Sequence, residues 1–87
     1  MLTRKEMGEW IKQSRMRKDI SQKDLAEQLG IHRSELSMIE NGKVLFPSKL
    51  TQKLSVVFEV KPEFIANKLA DIAHRDIFIN AGIIVEN

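Results

Sequence analysis

The stretch "SQKDLAEQLGIHRSELSMIENG", residues 21–42, holds two short apolar patterns separated by a single glycine. Leu25, Ala26 and Leu29 fall on one face of a first helix, and Leu36 and Ile39 on one face of a second. Helices of about eight to ten residues are marginal in water, so each must be held by what it packs against, and its nearest candidate is the other. Leu25, Leu29, Ile31, Leu36 and Ile39 form the shared wedge, Ala26 is small where the following helix crosses it, and Gly30 accepts the positive φ of the turn. Two short helices meeting steeply on a common core make a helix-turn-helix.

The flanking sequence supplies more helices of the same kind. Ser21 stands three residues before Asp24, so a hydroxyl and a carboxylate are available to the exposed amides of the helix that follows. His32 is a poor cap for the next helix, residues 33–41, which "NG" closes at Gly42. Upstream, Met7, Trp10, Ile11 and Ser14 keep helical spacing and predict a first helix over residues 4–18. Downstream, Ser48 after Pro47 predicts the cap of a fourth helix reaching residue 58, and Pro62 the N1 position of a fifth reaching about residue 74. Trp10 and Phe58 are assigned to the core. Residues 77–85, "IFINAGIIV", carry seven apolar side chains in nine, which fits either a short strand or hairpin or an extension of the last helix.

At 87 residues the chain has room for one modest core, and 43% hydrophobic against 30% charged residues is a globular balance. Without cysteine there is no disulfide framework and no thiolate metal site. No apolar run is long enough for a membrane span and no secretory signal opens the chain, which predicts a cytoplasmic protein with no membrane partner. Two histidines far apart and no glycine-rich phosphate loop leave no catalytic set, so neither an enzyme nor a metal or other cofactor is expected. Residues 1–53 hold 11 Lys/Arg against 7 Asp/Glu, whereas residues 54–87 hold 3 against 5. The basic half is the one suited to a polyanion.

With "ISQKDLAEQLGI", "RSELSMIENGK" and Pro47 in place, residues 10–62 resemble the Cro/repressor-type (XRE) helix-turn-helix family of phage and bacterial regulators. The resemblance implies an all-α, five-helix, lambda-repressor-like DNA-binding domain over residues 1–75, followed by an apolar dimerisation or partner-binding tail over residues 76–87. It implies that the third helix enters the major groove of double-stranded DNA. Carried over residue by residue, Arg33, Ser34, Ser37 and Met38 would face the bases. Ser21, Gln22 and Lys23 at one end, and Asn41 and Lys43 at the other, would meet phosphates. Arg15 and Glu40 would form a structural ion pair between the first and third helices. The side-chain chemistry agrees: the guanidinium fork of Arg33 matches guanine O6 and N7, Met38 suits a thymine methyl, and Glu35 either accepts from cytosine N4 or simply repels phosphates. The sequence departs from the family pattern at Val44, Leu45 and Phe46, where polar residues are usual, and at Glu59, where glycine commonly follows the fourth helix.

A single recognition helix reads only a few base pairs, so a homodimer on a pseudo-palindromic site is expected. Its interface is predicted from Phe64, Leu69 and Ile72 of the fifth helix together with Ile77, Phe78, Ile79, Ile83 and Val85 of the tail. The implied function is a sequence-specific transcriptional regulator, a repressor. The alternatives are an antitoxin that regulates its own operon through the same core, or a controller of a restriction-modification system. A protein partner, a toxin or an antirepressor, belongs to these expectations.

Overall fold

Thr3 starts the first helix with a reciprocal cap: its hydroxyl accepts the Glu6 amide at 3.0 Å while the Glu6 carboxylate accepts the Thr3 amide at 2.9 Å. This is a computed structural model that describes the backbone of residues 2–80 and the side chains of residues 2–73. From that cap run α1 (Arg4–Arg17), α2 (Gln22–Leu29) and α3 (Arg33–Glu40), then a 3₁₀ turn (Ser48–Leu50), α4 (Thr51–Phe58) and α5 (Pro62–Asn80). The described residues contain helices and turns and no strand, in agreement with the all-α class.

Two boundaries differ from the sequence expectation. Ser48 does not cap a fourth helix through its side chain; it opens a tight 3₁₀ turn after Pro47, and α4 proper begins at Thr51. The fifth helix runs through Asn80, so over residues 77–80 the helical alternative is realised rather than a strand. Residues 81–87 lie outside the described residues.

α1 to α4 stop by the same device. In each, the residue after the helix C-terminal turn takes a left-handed conformation, at Asp19, Gly30, Gly42 and Glu59 with φ of 57°, 75°, 75° and 57°. The two amides there turn back onto the last carbonyls. Gly30 donates to Glu27 at 3.1 Å and Ile31 to Ala26 at 3.0 Å, and the pattern recurs from Asp19 and Ile20, from Gly42 and Lys43, and from Glu59 and Val60. Glycine takes this geometry freely, whereas Asp19 and Glu59 adopt it at a steric cost of about 1 kcal/mol each. The fourth helix therefore ends where the sequence places its end, although a carboxylate side chain replaces glycine.

Every helix contributes to one core: Met7 and Ile11, Leu25 and Leu29, Leu36 and Ile39, Leu54, and Ile65 and Ile72 are all buried. Phe46 turns into this core from the loop after α3, Leu45 packs against it, and Val44 is exposed. The apolar loop is thus spent mainly on the fold's own interior. Gly8 marks a close approach of two helices. A Cβ there would stand 2.3 Å from the Ile39 carbonyl oxygen and 2.6 Å from that of Glu40, so α1 lies directly against the end of α3. Opposite, the Leu2 amide donates to the Asp71 carboxylate at 2.6 Å and ties the start of the chain to α5.

Candidate nucleic-acid interface

α3 is divided lengthwise by its own sequence. Leu36, Ile39 and Glu40 point into the fold, while Arg33 and Ser34 are exposed, Ser37 is half-buried and Met38 is 42% exposed. The base-reading candidates therefore share the outward side of one short helix. At the start of α2, Ser21 and Lys23 are exposed, and the Ser21 hydroxyl accepts the Asp24 amide at 3.0 Å. The positive end of the α2 dipole lies at this exposed turn, a setting that favours an anion. Beyond α3, Asn41 and Lys43 are exposed; Asn41 Nδ2 donates to Ser37 Oγ at 3.4 Å, and the Lys43 amide donates to the Met38 carbonyl at 2.9 Å.

These elements are joined by a continuous polar chain. Arg15 donates to both oxygens of the buried Glu40 carboxylate, Nε to Oε2 at 2.8 Å and Nη2 to Oε1 at 3.1 Å, and Nη1 to the Ile20 carbonyl at 2.9 Å. A bidentate guanidinium–carboxylate pair offsets much of the cost of taking both charges out of water. Gln22 Nε2 also donates to Glu40 Oε1, at 3.1 Å. A carboxylate only accepts, so the Gln22 amide must turn its nitrogen inward and its oxygen outward. That oxygen accepts from Arg33 Nε at 3.3 Å. Arg33 is thereby held through Nε, and its two terminal nitrogens remain for another acceptor.

Gln22 is placed differently from the role the resemblance implies. Its side chain is half-buried and bonded at both ends, so it is not free for a phosphate. Its bridging role left no mark in the sequence, because its partners lie 18 and 11 residues away on another helix. Glu35 is half-buried beside Lys49 and Lys53 in the cleft between the turn after α2 and the start of α4. His32 precedes α3 without a side-chain cap bond.

The interface residues expected on α5 require a correction. Leu69 and Ile72, 8% and 1% exposed, belong to the chain's own buried core and leave almost no surface for a second copy. Phe64 is 47% exposed. Ile77, Phe78, Ile79, Ile83 and Val85 lie outside the described side chains. Among the described residues no acidic or histidine cluster could hold a metal ion, and no helix is long and apolar enough to cross a membrane.

A family model described as Helix-turn-helix matches residues 11–65. The chain is 35% identical over 60 residues to the ImmF control region 10 kDa protein of Bacillus phage phi105, covering 69% of this chain and 67% of that protein. Among solved structures, the restriction-modification controller protein C.AhdI from Aeromonas hydrophila superposes with a TM-score of 0.62 at 25% identity, over 69% of this chain and 87% of that one. The clp gene regulator ClgR from C. glutamicum gives 0.64 at 21% identity, over 82% of this chain and 92% of that one, a likeness of fold.

Proposed function

Because the chain belongs to the helix-turn-helix family, whose model covers more than half of it, we propose that it is a sequence-specific DNA-binding transcriptional regulator. It acts as a repressor, occupying a pseudo-palindromic operator as a homodimer. The observation that carries the reading is Arg33, exposed at the first position of α3 and steadied through Nε by Gln22. A guanidinium held in that way offers two parallel N–H donors, the complement of guanine O6 and N7, a pairing worth about 1–3 kcal/mol of discrimination. Ser34, Ser37 and Met38 follow it along the groove, and Ser21, Lys23, Asn41 and Lys43 meet the phosphates at either end. Support comes also from the relative named for a phage control region and from the solved structure named as a restriction-modification controller protein.

Selection from random duplex DNA tests this reading directly. Two related half-sites with centres about 34–36 Å apart are expected, one helical turn. A pool that enriches no sequence above background would refute it. For the dimer, deletion of residues 76–87 followed by mass measurement in solution decides whether the end of the chain takes part, since the described side chains of α5 leave only Phe64 of the expected contacts at the surface.

A further inference from the structure

Trp10, Arg17, Lys18, Phe58, Val60 and Phe64 line a cleft of about 350 Å³ between the end of α1 and the start of α5. None of the base- or phosphate-facing candidates is among its lining residues. Its floor is aromatic: the Trp10 ring meets Phe58 edge-on at 5.5 Å and Phe64 at 5.7 Å. Phe64 remains 47% exposed, a large apolar surface left in water.

The rim is cationic. Lys68 Nζ sits 4.9 Å from the Trp10 ring centre and 4.6 Å from that of Phe64, held by the ring faces rather than by a carboxylate. Arg17 donates to the neutral Ser14 hydroxyl at 3.3 Å. Lys18 reaches Glu59 at 3.3 Å, but the Glu59 side chain is 80% exposed, and such a surface pair yields readily to a competitor. Aromatic walls under three cations call for a ligand with an apolar anchor and more than one negative charge.

We propose that this cleft docks an acidic peptide segment of a partner protein. One aromatic or branched side chain enters beside Trp10 and Phe64, and flanking carboxylates meet Lys68 and Arg17. A small organic acid fits less well, because the cleft is open on one side, whereas ligand pockets bury roughly 70–90% of a small molecule. The cations also stand on two separate helices, which suits charges spaced along a chain. The lining residues stand on α1, α4, α5 and their flanking turns, and none on α3.

Trp10 is the only tryptophan, so its emission reports the site in the full chain. The probe is a blocked pentapeptide, Glu-Leu-Phe-Glu-Asp, compared with its Gln/Asn analogue and with an analogue carrying alanine for Leu and Phe. A saturable change is expected with the acidic peptide at or below about 1 mM, and about tenfold weaker binding of either analogue. Lys68→Gln and Arg17→Gln should each weaken it several-fold, while Lys53→Gln, in a separate cleft, should not. Absence of saturable binding, equal binding of the neutral analogue, or unchanged affinity in both cleft variants would overturn the proposal. So would phenylacetate binding as tightly as the peptide, which would mark a site for small anions instead. Operator binding by the same variants stays at the wild-type level, so a failure here is distinct from a failure of the DNA-binding assignment.

Discussion

Replacing Glu40 with alanine removes the carboxylate on which α1, α2 and α3 converge. Its side chain is 2% exposed and that of Arg15 11%, so the variant strands a guanidinium with little access to water, and Gln22 loses its inward partner. Breaking one side of a buried pair costs about 3–5 kcal/mol. The residual exposure of Arg15 argues for the lower end, near 3 kcal/mol. A chain of this length has a total stability of about 4–13 kcal/mol, so the loss is a large fraction of the whole. Urea unfolding followed by helical circular dichroism should show the midpoint falling with the slope unchanged, and the melting temperature should drop by roughly 12–24 °C. Arg15→Met should cost nearly as much. The double variant Arg15→Met/Glu40→Leu, with no stranded charge, should recover most of the loss and return a coupling energy of about 2 kcal/mol or more. If the two single losses simply add, or if Glu40→Ala costs less than about 1 kcal/mol, the pair is a tolerated surface contact and the polar chain to Arg33 has no structural weight.

Arg33→Ala should weaken operator binding and relax preference at one base position, whereas Lys43→Ala should weaken all duplexes about equally and reduce the salt slope by about one unit; a binding series over salt and single-base variants separates the two. Gly8→Ala should destabilise by about 1–3 kcal/mol in thermal melts, although alanine ordinarily gains about 1 kcal/mol in a helix, because the new methyl group meets backbone oxygens that cannot move aside. Glu59→Gly should raise stability by about 0.5–1 kcal/mol by relieving its left-handed backbone, an effect best read at high salt where the Lys18 contact is screened.

The helix-turn-helix was legible because both of its signals are local. Apolar spacing at Leu25, Leu29, Leu36 and Ile39 reports which face is buried, and glycine at 30 and 42 reports a backbone few other residues enter easily. The α1 cap is equally local, in Thr3 and Glu6, three residues apart. What covers Leu69 and Ile72 was not legible in the same way. An apolar stripe shows that a helix face is covered, but its spacing does not distinguish cover by the same chain from cover by a second one.

Composition, apolar period and turn residues determined by themselves that this chain folds as a small helical domain with a short helix facing outward, since those properties act over one or two turns of backbone. Packing in three dimensions brings Arg15 and Gln22 onto Glu40, passes the constraint through Gln22 to Arg33, and gathers three rings and three cations beside α1. Such arrangements depend on which side chains the packing brings within about 3–5 Å of each other, and residues 11, 18 and 25 positions apart carry no sign in the linear sequence that they will touch.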